Sequence, residues 1–309
     1  FGPEVRQVIE SAASSRPWGK LSRAIMNAIA DWREDKSFMD ILKEARQWKT
    51  RKEGSQYTQN WYPALAGLLL AEYHKYNPTK EVEEELPKIV QWFAEKQERT
   101  GGWFKWFEGA YKERLDYPSK DLGMLTCVIY NFLWTVKTMK IPVDEAMLKR
   151  ADACILALLT NDGVGYGTGP QTAKMGDLTG VRGGLLMRGL DFAGQKQHKV
   201  YQTYVKLMPS KIPKMNQGHH IGGFHCFGMV MACHHLGPAV YAKLTGTWLD
   251  KYIGEQDGSG GVYIGDDGSA GGEKGLMGGN HASTAAFALM ILMQDPKLLT
   301  PPKKDSKKK

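Results

Sequence analysis

The chain has 309 residues, of which 42% are hydrophobic and 24% are charged, and this composition is typical of a globular protein. A chain of this length buries enough apolar surface to form a core without disulfides or metal. No apolar run reaches the ~18 residues that a membrane span needs. The composition therefore argues against a disordered chain and against a transmembrane helix.

The net charge of +8 is partly concentrated at the C-terminus. Residues 303–309 hold five Lys and one Asp, and we expect this segment to be a disordered basic tail. Residues 1–302, which we predict to form a single domain, carry 36 Lys and Arg against 32 Asp and Glu. This near balance argues against nucleic acid as a partner.

Two kinds of predicted helix alternate along the chain. Segment 80–97 has its apolar residues on one face at helical spacing, which predicts an amphipathic helix. Segment 121–140 is apolar on nearly all faces, which predicts a helix that is buried all round. The predicted amphipathic helices lie near residues 3–15, 37–50, 80–97, 143–160, 198–209 and 238–254, and the predicted buried helices near 20–32, 60–76, 121–140, 179–194, 223–236 and 280–294.

The alternation amounts to six helical hairpins, which indicates a repeat architecture. Glycines and other small residues in the buried helices allow close approach of helix axes and favour a closed ring. We therefore predict an all-α fold, the (α/α)6 toroid, with an inner ring of buried helices and an outer ring of amphipathic ones. Long glycine-rich connections at 98–119, 161–178, 210–222 and 255–279 would then share one end with the N-termini of the inner helices. Such N-termini attract anions.

The segment Gln97–Trp103 reads Q-x3-G-x-W and resembles the QW repeat of the squalene–hopene cyclase and prenyltransferase superfamily. Degenerate copies lie at Gln256–Val262 and Asn161–Gly167. The resemblance implies a toroid in which the Gln ties off an outer helix and the Trp stacks beneath the turn. The chain lacks the Asp-x-Asp-Asp acid of the cyclases and the complete zinc-ligand set of the prenyltransferases.

Four further strings resemble a family of bacterial toroid proteins of unknown function, mostly secreted and common in planctomycetes. They are Asn60-Trp61-Tyr62 with Leu70-Ala71-Glu72-Tyr73, Gly101-Gly102-Trp103, Gly165-Tyr166-Gly167 and Gln217-Gly218-His219. The resemblance implies the same fold and a periplasmic or secreted location, and it implies no activity. Because the sequence begins at Phe1, a signal peptide cannot be seen in it.

The candidate pocket lies at the end with the long loops. His225, Cys226 and His281 offer imidazole and thiolate ligands for zinc, although such histidines also occur as backbone-bonded structural residues. Asp121 and Asp177 offer acid–base chemistry, although both also suit helix N-termini. The complete candidate pocket comprises Trp61, Tyr62, Trp103, Trp106, Asp121, Tyr166, Asp177, Arg182, His219, His220, His225 and His281.

Three functional classes remain open. The first is a binding or scaffold domain with an anionic or carbohydrate ligand. The second is a carbohydrate-active enzyme, a polysaccharide lyase or hydrolase, and the third is a zinc-dependent or isoprenoid-processing enzyme. Two structural expectations accompany them. Cys127 and Cys154 should face each other across one hairpin, as a disulfide or as two buried thiols, and His234 and His235 should be structural residues at a helix C-terminus.

Overall fold

The structure is a computed structural model that describes residue 43 and residues 60–76, 78–103, 123–165, 179–215 and 222–254. This part of the chain is mostly helical, which confirms the predicted all-α class there. Its elements are α1 (Trp61–Tyr76), α2 (Lys80–Lys96), α3 (Gly123–Thr138), α4 (Glu145–Ala157), β1 (Leu159–Thr160), β2 (Gly163–Val164), α5 (Thr179–Phe192), α6 (Lys199–Lys211), the 3-10 turn Ile212–Lys214, α7 (Gly222–His235) and α8 (Pro238–Gly254).

The eight α-helices coincide with eight of the twelve predicted helices. The predicted helices near 3–15, 20–32 and 280–294, and the basic tail, lie outside the described residues. Of the predicted helix near 37–50, only Lys43 is described, and it is helical. None of the helices in the described ranges is long and apolar enough to cross a membrane.

Burial follows the two predicted patterns. Helix α2 buries one apolar stripe, and its first turn is capped by the Thr79 hydroxyl, which accepts a hydrogen bond from the Val82 amide at 3.4 Å. Helix α3 instead buries 13 of its 16 residues. The buried stripe of α2 consists of Val82, Leu86, Ile89, Val90 and Phe93.

The described helices form four consecutive hairpins. Helix α1 packs on α2, α3 on α4, α5 on α6 and α7 on α8. The first helices of the hairpins also pack side by side, with α1 against α3, α3 against α5 and α5 against α7. We call α1, α3, α5 and α7 the inner helices, and α2, α4, α6 and α8 the outer helices.

The inner helices α3, α5 and α7 run in the same direction. Near its start α5 places Arg182 beside Cys127 of α3, and one and a half turns later Arg188 Nη1 donates to Asn131 Oδ1 at 3.1 Å. Residue numbers on both helices therefore rise together, which is the signature of parallel packing. The helices α3, α5 and α7 begin at one end, because Gly184 and Asp191 of α5 likewise meet residues 228 and 235 of α7 in that order. We call this end the inner N-terminal end.

The predicted helix over 143–160 is too long at its C-terminus. Helix α4 ends at Ala157, and Leu159–Thr160 pairs antiparallel with Gly163–Val164. The Thr160 hydroxyl donates to the Gly163 carbonyl at 2.8 Å and accepts from the Asp162 amide at 3.2 Å. These bonds close a tight turn, which a short polar Asn-Asp-Gly sequence favours over a further helical turn.

The Q-x3-G-x-W segment ties two outer helices together. The Gln97 Nε2 atom donates to the carbonyls of Gly101 (2.8 Å) and Met147 (2.9 Å), and its Oε1 atom accepts from Arg150 Nε at 2.8 Å. Gly101 adopts φ +93°, and a Cβ atom there would lie 2.0 Å from the Arg150 carbonyl oxygen. Only glycine fits this turn, which joins the end of α2 to α4.

Cys127 and Cys154 lie on α3 and α4, which pack against each other, and both are buried. They are not joined to each other. The structure thus shows the alternative of two buried core thiols and no disulfide between them.

Candidate functional site

Arg182 is the predicted site residue that the structure describes most fully. It lies in the first turn of α5, at the inner N-terminal end, and its side chain has no exposed surface. Arginine stays protonated at all physiological pH values, so the fold holds a fixed positive charge in its interior. Such a charge is tolerated only where negative or polar groups compensate it.

The side chains around Arg182 show the effect of its charge. Burial raises the pKa of the Cys127 thiol to about 12, and the positive charge of Arg182 opposes that rise. Burial also raises the pKa of the Tyr204 phenol, again against the opposing charge of Arg182. An ordinary thiol and phenol are neutral at pH 7, and burial makes their ionisation still less favourable here.

Tyr204 connects the neighbourhood of Arg182 to the β1–β2 hairpin. Its hydroxyl oxygen accepts a hydrogen bond from the Val164 amide at 2.9 Å, and both residues are buried. The site thus combines one permanent cation with a neutral phenol, a set that suits binding of a negatively charged or hydrogen-bond-accepting group.

Trp103 belongs to the hydrophobic core. It is fully buried, its Nε1 atom donates to the Phe93 carbonyl at 2.9 Å, and its ring meets the Phe93 ring edge-on at 6.1 Å. Its amide donates to the Thr126 hydroxyl at 3.1 Å. With its polar atom already bonded to the end of α2, Trp103 acts as a packing residue beneath the turn.

Cys226 is the described member of the predicted zinc-ligand set. Its thiol is buried and donates to the Met215 carbonyl at 3.5 Å. Burial raises its pKa to about 11, with the Tyr252 hydroxyl beside it opposing the rise. In the described ranges no three His, Cys, Asp or Glu side chains are grouped as metal ligands would be. The side chain of His225 and all of His281 lie outside those ranges, so the zinc site stays a prediction.

Most of the remaining candidate residues are also outside the described part of the chain. For Trp61 and Tyr62 the structure describes only the backbone, in the first turn of α1. His225 stands likewise in the first turn of α7. The candidates that lie wholly outside the described residues are Trp106, Asp121, Tyr166, Asp177, His219, His220 and His281.

Two histidine–aspartate pairs lie away from the inner N-terminal end, and the sequence pattern does not predict either of them. Asp191 near the end of α5 accepts from His235 Nδ1 on α7 at 2.9 Å and pairs with Lys196 at 3.0 Å. His198 caps α6, because its Nδ1 atom accepts from the Val200 amide at 3.2 Å. Its Nε2 atom then carries the proton and lies 3.2 Å from the Asp152 carboxylate of α4.

Both pairs join neighbouring hairpins, one through inner helices and the other through outer helices. A structural role is predicted for His235, and Asp191 is the residue to which it bonds. His234 packs edge-on against the Tyr241 ring at 5.9 Å, and burial lowers its pKa. The partners lie 44 and 46 residues apart in the chain, so no local sequence signal reveals them.

We expect Asp191→Asn to lower the free energy of unfolding at neutral pH by about 1–2 kcal/mol, since it weakens charge-assisted hydrogen bonds at a partly exposed site. The hydrogen bond from His235, aided by Lys196, holds the pKa of Asp191 below its ordinary value of 3.8. A depressed carboxyl pKa stabilises the fold above the unfolded pKa, and this stabilisation is lost as pH falls through the folded pKa. Urea unfolding at a series of pH values should show the difference between wild type and variant shrinking below about pH 4.

The exposed Asp250→Asn is the matched control for Asp191→Asn, and its effect should be small at every pH. A wild-type-to-variant difference for Asp191→Asn that is constant from neutral to strongly acidic pH would contradict an ionised Asp191 in the tie between α5 and α7.

Three comparisons with known proteins found no match to the chain. No protein-family profile matches the chain. No curated protein and no solved structure matches it either.

Proposed function

We propose that the chain is an (α/α)6 toroid that serves as a binding domain for an anionic ligand, held at the inner N-terminal end by Arg182. The observation that carries the proposal is the complete burial of this guanidinium in the first turn of an inner helix. A buried guanidinium is costly unless polar or negative groups surround it, and we infer that a bound anion is one of these groups.

The fold supports the proposal in two ways. Four consecutive hairpins keep their buried helices side by side and their amphipathic helices outside, as one arc of a toroid requires. Parallel inner helices also aim the positive ends of their dipoles at the region of Arg182. The dipoles and the guanidinium act in the same direction, and both favour a negative group.

The inner N-terminal end also has polar side chains that suit selective binding. The Tyr204 phenol carries a hydroxyl group close to the Arg182 charge. Arginine presents up to five N–H donors in a planar fork, which matches the geometry of carboxylate, phosphate or sulfate groups. We therefore infer that the ligand carries such a group.

Thermal unfolding with added inorganic phosphate, sulfate or citrate tests the proposal. The wild-type protein should be stabilised in a saturable way by at least one of these anions, by about 2.7 kcal/mol when its concentration is 100 times the Kd. Arg182→Met should remove this stabilisation, because it keeps much of the side-chain volume and deletes the charge. The same anion should leave the variant's unfolding temperature unchanged beyond a general salt effect.

Arg188→Met is the matched control, since it deletes a guanidinium from the other end of the same helix, where Arg188 bonds Asn131 and Thr135. Its response to the anion should equal that of the wild type. If none of the three anions gives saturable stabilisation of the wild type, or if Arg182→Met and Arg188→Met respond alike, the proposed function is wrong.

A further inference from the structure

Positive charge is concentrated in one segment of the protein. Residues 193–254 contain seven Lys, no Arg and one acidic residue, Asp250. The near balance of charge over residues 1–302 is therefore the sum of a strongly basic segment and a slightly acidic remainder. Six of the seven lysines are exposed and Lys211 is half-buried.

These lysines stand on two neighbouring outer helices. Lys199 and Lys206 are two turns apart on one stripe of α6, roughly 10 Å along the axis, and Lys214 follows on the 3-10 turn. Helix α8 lies beside the end of α6, because Lys243 Nζ donates to the Pro209 carbonyl (3.2 Å) and Trp248 Nε1 to the Ile212 carbonyl (2.6 Å). The lysine face is defined as Lys199, Lys206, Lys211, Lys214, Lys243 and Lys251.

Internal ion pairs do not account for the lysine face. Lys196, just before α6, pairs with Asp191, whereas no residue of the lysine face forms an ion pair with another described residue. Lys251 lies over the Trp248 ring at 4.5 Å and keeps its charge at the surface. Mutual repulsion of like charges is unfavourable, so an external anionic partner would stabilise this surface.

The lysine face carries charge, but the described residues of α6 and α8 offer no exposed aromatic ring on which a base or a sugar could stack. The described aromatic side chains of α6 and α8 are all turned inwards and buried: Tyr201, Tyr204, Tyr241, Trp248 and Tyr252. The large exposed apolar residues of the described part, Leu65 and Leu156, lie on α1 and α4. Nucleobases and sugar rings are usually held by exposed aromatic rings, so this surface is suited to recognition by charge alone.

We propose that the lysine face docks the protein on a membrane surface rich in anionic lipids. Its charges are spread over two outer helices that meet where α6 ends, so they are not confined to a single helix. Clusters of four to eight basic residues are typical of peripheral binding to such surfaces. This inference uses neither Arg182 nor the inner helices, so it stands or fails separately from the proposed function.

Sedimentation with vesicles of equal parts phosphatidylserine and phosphatidylcholine tests the docking surface. The full chain should bind these vesicles, should not bind pure phosphatidylcholine vesicles, and should be released when salt rises from about 0.1 M to about 1 M. Substitution of Lys199, Lys206 and Lys214 by Gln should weaken binding roughly 10- to 100-fold. All three side chains are exposed, so the variant should retain the wild-type unfolding temperature.

Two controls separate the lysine face from net charge. Substitution of the exposed Lys80, Lys88 and Lys149 by Gln removes the same charge from α2 and α4 and should leave binding almost unchanged. Both triple variants are also made in a chain whose five tail lysines in 303–309 are replaced by Gln. This background removes the basic tail as a source of binding. The proposal is overturned by equal losses in the two triple variants, by no binding to the anionic vesicles, or by tighter binding to duplex DNA or to heparin than to those vesicles.

Discussion

Trp103→Ala should lower the free energy of unfolding by about 3–5 kcal/mol, the usual loss for an aromatic side chain cut from a core. Trp103 is fully buried and meets Phe93, whose ring in turn meets Phe132 of α3 edge-on at 5.8 Å. The substitution therefore leaves a cavity between the first two hairpins and removes the hydrogen bond from the indole to the Phe93 carbonyl. Urea unfolding followed by circular dichroism measures the loss as a shift of the midpoint.

Two variants separate the parts of that loss. Trp103→Phe keeps most of the apolar volume but deletes the indole N–H, and we expect it to cost about 1–3 kcal/mol. Leu156→Ala removes a large apolar side chain that is 38% exposed, and its effect should stay within about 0.5 kcal/mol. If Trp103→Ala were as mild as Leu156→Ala, Trp103 would not be a core residue, and its place in the candidate pocket would regain support.

The sequence predicts the helices well because burial repeats with the helical period. The apolar stripe of α2 is the buried stripe of the structure, and the apolar surround of α3 is buried nearly all round. Within the described ranges, the short β1–β2 hairpin is the main element that the sequence does not predict. Its two-residue strands are too short to show a period of two, and they depend on side-chain bonds of Thr160.

The candidate site is less predictable, because its contacts join distant hairpins. The position of Arg182 follows from the helix pattern, but its complete burial depends on how α3, α5 and α6 pack around it. The aromatic ring of Trp103 predicts a pocket residue, whereas its burial and the bond from its indole to the Phe93 carbonyl make it a packing residue of the core. The Asp191–His235 tie joins two inner helices that meet only in the folded chain.

The same limit applies to charge. A count over residues 1–302 gives near balance, yet the lysines of α6 and α8 belong to two outer helices that meet at the end of α6. Charge must therefore be judged on surfaces as well as over the sequence.

Gly184→Ala should destabilise the protein by about 3 kcal/mol or more. A Cβ atom at Gly184 on α5 would lie 2.0 Å from the Gly228 carbonyl oxygen and 2.7 Å from the Gly228 carbonyl carbon on α7. Both are backbone atoms, so no rotamer change relieves the overlap and the two inner helices must move apart. Overpacking of this kind commonly costs 1–3 kcal/mol and exceeds that range where the backbone itself must shift. Urea unfolding gives the change directly.

The control for Gly184→Ala is Gly246→Ala on the outer helix α8, where no atom lies within 4 Å of the added Cβ. This helical, exposed glycine should gain up to about 1 kcal/mol on substitution, because alanine restricts the unfolded chain and favours the helix. The same substitution is thus expected to change the free energy of unfolding in opposite directions at the two glycines. A neutral or stabilising Gly184→Ala would mean that α5 and α7 are not in backbone contact, and the close packing that an inner ring of helices requires would be absent at this interface.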